Sequence, residues 1–505
     1  MSICVGVRQA PTSIIEEEEV MANKSSDKLT VKHIVGYCCG DWGGSMTLYM
    51  MAGYMSRYLQ VFLQVNPAIL ATMLLVWNIW DAVNDPLMGT LMDMFFTKAK
   101  PGADKFRPWI LASIPIMGIG LISFYWVPGV MGGGVSMLVA AFILKIVYEG
   151  GYTMMNIGMG SLLGNMAKND TERATLASAR GFGATFAQLI AGFMIPQLLA
   201  YFGESIEGYR WTAVILTLTA LVIVFLHYAL TEERNKKDPA LEAAKTEEEK
   251  AAEKFKITDI GNIVTKNRAF LALVLHSICI CAVQALGQGA ATYMYADVLG
   301  DIGMQGYAST MSSVLIICIL VVAPILTRKW DLVNIIRVCL MGGFISLGAL
   351  LAYTLMVDEL NAWLFVVWNA IGNGLITMSV QMQWGLVAET IDYNEYLTGK
   401  RNEGTIYGFF SLSRRVGSTI ANSVTVLLIA AIGYDAALTT AGLMQADSTI
   451  AGIKMMFVGF PVVAALGSWT CFTFIWNINK DVRAKMAAWK EQKAKEEEAI
   501  LKSVQ

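Results

Sequence analysis

The sequence predicts an all-α membrane protein whose twelve transmembrane helices form two six-helix halves. The first reason is composition, since the 505 residues are 55% hydrophobic and only 15% charged, with a mean hydropathy of +0.51. Soluble domains usually carry about a quarter charged residues. The second reason is that long apolar segments recur along the chain. The third is that one highly charged segment, 231–268, divides them into six plus six.

The individual spans follow from segment length, because a membrane-crossing helix needs about 20 mostly apolar residues. Long continuous apolar runs favour helices over the short alternating strands of a barrel. The first six predicted spans are 34–56, 68–95, 108–128, 135–164, 175–201 and 211–230. The second six are 269–298, 307–327, 335–356, 361–388, 403–432 and 453–477.

Basic residues predict the orientation of these spans. Loops rich in lysine and arginine stay on the cytoplasmic side of a membrane. The loops after even-numbered spans hold Lys98, Lys100, Lys105, Arg107, Lys168, Arg173, Arg328, Lys329, Lys400 and Arg401, whereas those after odd-numbered spans hold Arg57 and Arg210. We therefore expect a multi-pass protein of the inner (cytoplasmic) cell membrane with both termini in the cytoplasm.

The chain divides into five predicted regions. They are a cytoplasmic extension 1–32, an N-terminal six-helix bundle 33–230, a cytoplasmic linker 231–268, a C-terminal six-helix bundle 269–479 and a cytoplasmic tail 480–505. The acidic N-terminus lacks the features of a signal peptide, and Met1 and Met21 both stay open as the start. Two six-span halves joined by a cytoplasmic linker are the layout of the major facilitator fold, which indicates a transporter without indicating its substrate.

Two carboxylates interrupt the second predicted span. Asp81 and Asp85 are four residues apart and share one helix face, with Asn84 beside them. Each charge at bilayer depth costs on the order of 3 kcal/mol, which favours a functional role. The pair either shares a proton or binds a small cation through its oxygen atoms. Ion pairing with nearby lysine or arginine is the structural alternative.

Other polar side chains fall inside predicted spans and are expected to face a water-filled cavity. They are Asp41 in the first span, Glu149, Thr153 and Asn156 in the fourth, Arg180 in the fifth, and Arg414 and Arg415 in the eleventh. An internal ion pair among Asp41, Arg180 and Arg415 is an alternative to a binding role, although it does not exclude one.

Charged residues at the predicted cytoplasmic ends of spans two and ten suggest a gate. Asp93 ends the second span next to a basic loop that contains Arg107, and Asp392 and Arg401 end the tenth. Opposite charges at this level are expected to pair within or between the halves. Such a network would hold the cytoplasmic side shut while the central site faces outward.

Two blocks in opposite halves resemble the glycoside–pentoside–hexuronide:cation symporters of the melibiose permease type. The first is WDAVNDPLMGTLMD at 80–93 with KFRPWIL at 105–111, and the second is VAETIDYNEYLTGKRNEGTIYG at 387–408. The likeness extends from Lys32 to Asn479. It implies that a cation binds on the second and fourth helices, at Asp81, Asn84, Asp85 and Thr153.

The same resemblance implies where the transported sugar binds. The family's sugar-binding residues correspond to Asp41, Arg180, Trp384 and Arg415, and Asn156 stands where the melibiose permease has an aspartate. Gly160 replaces a tryptophan that stacks on the sugar ring. Because glycine cannot stack, a galactoside specificity like that of melibiose permease is not implied, and an anionic hexuronide and a larger glycoside both stay open.

The expected function is symport of a sugar, glycoside or hexuronide into the cell by alternating access, driven by Na⁺, or by H⁺ or Li⁺. A proton-driven exporter of small molecules on the same fold is the alternative. No nucleophile–base pair, zinc pattern or ATP-binding loop supports an enzyme or a further cofactor. The expected partners are the solute, the monovalent cation and membrane lipid, without nucleic acid, and the protein is expected to function as a monomer.

Overall fold

The fold is a bundle of twelve long helices, taken from a computed structural model. It describes residues 29–236, 239, 266–327, 330–357, 359–399 and 403–504. Most of the predicted N-terminal extension, most of the linker and Arg401 lie outside these residues. Within them the chain is helical throughout apart from short connections.

The helices fall in two groups of six. The first half contains α1 Val31–Arg57, α2 Pro67–Phe96, α3 Arg107–Trp126, α4 Gly134–Met166, α5 Asp170–Phe202 and α6 Ile206–Leu230. The second half contains α7 Arg268–Tyr293, α8 Gly303–Thr327, α9 Leu332–Met356, α10 Ala362–Thr398, α11 Glu403–Ala431 and α12 Asp447–Ile475. A further helix, α13 Lys480–Val504, follows the bundle.

The predicted count of twelve helices in two groups of six is confirmed. Over the described residues, eight of these helices are long and apolar enough to cross a membrane by length and composition alone. The largest difference from the predicted bounds is in α10, which continues to Thr398. The extra turns are polar, so the hydropathy criterion placed the predicted end of this span ten residues before the end of the helix. They are stabilised by α13, because Lys490 and Lys493 pair with Asp392 and Glu395 at 2.8 and 2.6 Å.

Helix packing inside each half depends on glycines at equivalent places. A Cβ on Gly417 of α11 would lie 2.5 Å from the carbonyl oxygen of Ile278 in α7. Gly183 of α5 is packed just as closely against the carbonyl oxygen of Cys38 in α1. Small residues let helix backbones approach in this way. Gly183 of the fifth span therefore serves packing.

The apolar core is divided between the halves. One buried cluster belongs almost entirely to α7–α12, and a second belongs almost entirely to α1–α6. The halves touch along α2 and α11, along α1 and α7, and along α5 and α8. Two separately packed bodies with a limited common surface are suited to rocking against each other.

The bundle has a terminal face and a distal face. The terminal face is the one at which α1 begins, α12 ends and α13 lies. The distal face is the opposite one, at which α1 and α7 end in the π-helical turns Tyr58–Phe62 and Met294–Val298.

Candidate ion and solute site

Three of the four predicted cation residues are hydrogen-bonded to one another between α2 and α4. The Asn84 side-chain amide donates to Thr153 Oγ1 at 2.9 Å, and that hydroxyl donates to Asp85 Oδ1 at 3.4 Å. Asn84 and Thr153 are buried, whereas the Asp85 side chain is 35% exposed. The helical spacing predicted from sequence therefore brings carboxylate, amide and hydroxyl oxygens to one place.

Asp85 also pairs with the other half of the protein. Its Oδ2 accepts a hydrogen bond from Arg415 of α11 at 2.8 Å. The guanidinium is 54% exposed, so water reaches this pair. The structural alternative for the carboxylates, a basic partner, thus applies to Asp85 in this conformation.

A lysine that sequence analysis passed over lies at the interface of α2 and α4. Lys145 of α4 is buried and forms an ion pair with Glu149 one turn further along. Its ammonium lies 5.8 Å from the ring centres of both Trp77 and Tyr148. Trp77 is one turn before Asp81 on α2. A lysine and a glutamate four residues apart inside a predicted span were the signal that could have identified this pair.

The predicted solute residues of the first half form a second group. The Arg180 guanidinium bonds to Asp41 Oδ2 at 2.9 Å and to Asn156 Oδ1 at 3.2 Å. Gly160 adjoins it, and a Cβ there would lie 3.6 Å from the same guanidinium. Of the alternative ion pair among Asp41, Arg180 and Arg415, the contact between Asp41 and Arg180 is present, while Arg415 pairs with Asp85.

Trp384 in the second half is stacked against Arg414. The Arg414 guanidinium lies 4.9 Å from the Trp384 ring centre, and its Nε donates to Cys281 Sγ at 3.4 Å. Tyr407 contacts the same indole at a centroid distance of 5.5 Å. Stacking on an aromatic face positions a guanidinium without neutralising it. Among the described residues, Arg414 has no ion-pair partner.

A cavity of about 1080 Å³ lies between the halves. Its wall comes from α1 and α5 on one side and from α7, α8, α10, α11 and α12 on the other. Amide side chains are frequent in it, including Gln188, Gln284, Gln288 and Asn373. Arg414 and Arg415 also line it, and none of the described lining residues is acidic. The cavity is therefore polar and positively charged.

The distal side of this cavity is closed by a buried arginine. Arg57, at the end of α1, pairs with Glu204 of its own half at 2.5 Å and with Asp297 of the other half at 2.6 Å. It also donates to Tyr434 at 3.3 Å and lies over the ring of Tyr293. Sequence analysis missed this cluster, although Arg57 was one of only two basic residues in the odd-numbered loops.

At the terminal face, the predicted gate residues pair inside their own halves. Asp93 pairs with Lys105 at 2.7 Å, Arg107 with Asp104 at 2.8 Å, and Asp392 with Lys490 at 2.8 Å, while Arg401 lies outside the described residues. The halves are thus tied together at the distal face. Pairing between the halves at the terminal face stays a prediction for the opposite conformation.

Removing the distal ion pairs should open that face. We expect Arg57→Gln to speed labelling of a cysteine placed at Gly53, which lines the cavity, by about tenfold, since ~1.4 kcal/mol shifts an equilibrium that far. Membrane-impermeant maleimide applied to each side of oriented vesicles measures it. The control is Arg210→Gln, because Arg210 pairs with Glu207 within one half. Equal labelling in both variants would contradict a gating role for Arg57.

Comparison with known proteins decides the family. The family model described as "MFS/sugar transport protein" matches residues 36–480. This chain belongs to that family. The resemblance to glycoside–pentoside–hexuronide transporters is thereby confirmed, as is the twelve-helix major facilitator fold.

Curated relatives of this family member are named as transporters, and the similarity covers most of each chain. It is 28% identical to "Uncharacterized symporter YnaJ" of Bacillus subtilis (strain 168), covering 88% of this chain and 91% of that one. It is 26% identical to "Glucuronide carrier protein homolog" of Escherichia coli (strain K12), covering 89% and 93%. It is 23% identical to "Putative sulfoquinovose importer" of the same strain, covering 90% and 92%.

Solved structures agree on the fold. The crystal structure of D-xylose-proton symporter matches with a TM-score of 0.57 at 14% identity, covering 86% of this chain and 96% of that one. The nucleoside transporter NupG matches with a TM-score of 0.59 at 11% identity, covering 87% and 99%. The family member described here is a multi-pass membrane transporter of sugar-type solutes and not an enzyme.

Proposed function

We propose that this transporter carries an anionic sugar or glycoside, such as a hexuronide, into the cell together with one monovalent cation. The observation that carries the proposal is the position of Arg415. It lines the cavity and at the same time pairs with Asp85 among the predicted cation residues. A solute that draws this guanidinium away changes the charge at Asp85, so the two binding events are coupled.

A charge count supports a single cation. Three carboxylates, Asp81, Asp85 and Glu149, lie near two bases, Lys145 and Arg415, which leaves one negative charge. Net charge at bilayer depth is unfavourable. One monovalent cation neutralises this group, with Asn84 and Thr153 as neighbours of the carboxylates.

Recognition of a polyol fits the group around Arg180. Sugar hydroxyls both donate and accept hydrogen bonds. Asp41 supplies acceptor oxygens, Asn156 supplies both functions, and Arg180 supplies donors. Together with Trp384 and Arg415 of the second half, these side chains are the five proposed solute-binding residues, of which Arg415 lines the cavity.

An acidic group on the solute fits the charge of the cavity. Arg414 is held against Trp384 without an ion-pair partner in the described part of the chain, and the described wall has no carboxylate. A guanidinium recognises carboxylates and sulfonates through paired donors. The relatives named glucuronide carrier homolog and sulfoquinovose importer bear names of acidic sugars, which agrees with this proposal.

Alternating access supplies the transport cycle. With both termini in the cytoplasm, the present conformation is closed to the outside by Arg57. In the opposite conformation, we expect Asp93, Arg107, Asp392 and Arg401 to close the cytoplasmic side. Export on the same fold is the second candidate, because one relative is named "Putative 2,3-dihydroxypropane-1-sulfonate exporter".

Reconstituted protein tests the proposal. Proteoliposomes with a defined orientation are loaded with buffer and given radiolabelled glucuronide under an inward cation gradient. Concentration of the solute inside, and loss of that concentration when the gradient is collapsed by an ionophore, are expected. Accumulation only under an outward gradient would indicate an exporter, and equilibration without accumulation would overturn coupling.

Neutralising Arg414 should change solute preference. We expect Arg414→Gln to weaken binding of a glucuronide by about tenfold or more, since hydrogen bonds to charged groups contribute ~1.5–3 kcal/mol. Binding of the matching neutral glucoside should change less than threefold, which titration calorimetry with both sugars measures. Equal losses for the two sugars would show that Arg414 does not recognise the acid.

A further inference from the structure

A buried lysine–glutamate pair borders the predicted cation residues. Lys145 and Glu149 are on α4, one turn apart, and both side chains are less than a tenth exposed. Two aromatic rings, Trp77 from α2 and Tyr148 from α4, hold the ammonium at the interface of these helices. The rings and the carboxylate fix an ammonium at one place inside the bundle.

Asp81 is one turn after Trp77 on α2, the residue whose ring lies against this ammonium. Its Oδ1 is buried and finds no hydrogen-bond partner in the described part of the chain. The charged groups around it are Lys145 of α4, Asp85 of its own helix and Arg415 of α11. A buried carboxylate oxygen without a hydrogen bond is stabilised by a nearby positive charge.

We propose that the Lys145 ammonium, held by Glu149, takes the place of an alkali cation beside Asp81, so that this transporter binds neither Na⁺ nor Li⁺ there. The proposal deepens the proposed function, on which it rests, by naming the driving cation. Of the three cations considered from sequence, H⁺ remains.

Ligand count gives the reason. A hard metal cation needs several oxygen ligands at once, whereas a proton needs one. With Asp81 assigned to Lys145, the remaining oxygens belong to Asp85, Asn84 and Thr153. These are already hydrogen-bonded to one another at 2.9 and 3.4 Å. The group thus lacks a second free carboxylate with which to enclose Na⁺.

The unaltered protein provides the first test. Glucuronide accumulation in proteoliposomes is measured under an inward proton gradient in choline chloride, and under an inward Na⁺ gradient at equal pH on both sides. We expect accumulation from the proton gradient alone, with less than twofold stimulation by Na⁺. Accumulation driven by Na⁺ overturns the inference while leaving the proposed symport intact, and accumulation under neither gradient refutes the proposed symport itself.

Variants test the role of the ammonium. Lys145→Met should create Na⁺-dependent uptake, with about tenfold faster initial rates in NaCl than in choline chloride, within the usual range of coupling between two ligands. Lys145→Met/Glu149→Gln leaves the net charge of the group at −1, because one positive and one negative charge are removed. Na⁺ dependence in this double variant therefore reports a vacated position and not added negative charge.

Binding is measured separately from transport. The melting temperature of each purified variant is compared in NaCl and choline chloride at equal ionic strength, because a bound ion stabilises the folded state. We expect a rise with Na⁺ in both Lys145 variants and none in the unaltered protein. Lys454→Met is the matched control, since Lys454 is also buried but bonds to the carbonyl oxygen of Thr354. Absence of Na⁺ stabilisation in the double variant, or its presence in the control, overturns the inference.

Discussion

Asp85→Asn should abolish accumulation of solute against its gradient while downhill flux survives. Asparagine keeps the shape and one oxygen acceptor but removes the charge that joins Thr153 to Arg415. The proposed solute-binding residues Asp41 and Arg180 lie in a separate group and are unchanged in this variant. We expect the accumulation ratio to fall to about one, because a cation without differential affinity for the two states drives nothing.

The measurement compares uphill uptake with counterflow in the same vesicles. Counterflow needs binding and alternating access but no cation gradient, so it should be retained in Asp85→Asn. Asp447→Asn is the control, because Asp447 is an exposed aspartate at the start of α12 with no proposed part in binding, coupling or gating. If Asp85→Asn still concentrates solute as the unaltered protein does, Asp85 has no part in coupling.

Asp41→Ala is expected to have the second largest effect, on solute affinity. Asp41 orients Arg180 at 2.9 Å and is proposed to accept hydrogen bonds from sugar hydroxyls. Loss of hydrogen bonds to a charged group costs ~1.5–3 kcal/mol, which corresponds to about 10–150-fold weaker binding. Titration calorimetry with glucuronide, at fixed pH, gives the dissociation constant directly.

A conservative variant separates binding from folding in this test. Asp41→Asn keeps a hydrogen-bonding side chain, so we expect a smaller loss than with alanine. Both variants should respond to Na⁺ as the unaltered protein does, because no contact between Asp41 and the α2 carboxylates is present in the described structure. Unchanged affinity in Asp41→Ala would leave the ion pair with Arg180 as a structural contact only.

Local sequence patterns predicted much of the fold and part of the site. Twelve apolar segments became twelve helices, because a segment long enough to cross a bilayer must satisfy its backbone hydrogen bonds internally. Helical periodicity also placed Asp81, Asn84 and Asp85 side by side. The polar end of α10 was missed because hydropathy indicates which residues lie in the membrane and does not indicate where a helix ends. Its last turns are supported by Lys490 and Lys493 of α13.

The sequence by itself determined which segments are helices and which of them carry charges in an apolar setting, since both depend on neighbours along one chain. Only the tertiary structure decided how those charges pair. Arg415 meets Asp85 across 330 residues, and Arg57 meets Asp297 across 240. Lys145 meets the helix of Asp81 through the packing of α2 on α4. A buried charge takes the partner that helix packing brings to it, and that packing is set by contacts between segments far apart in the chain.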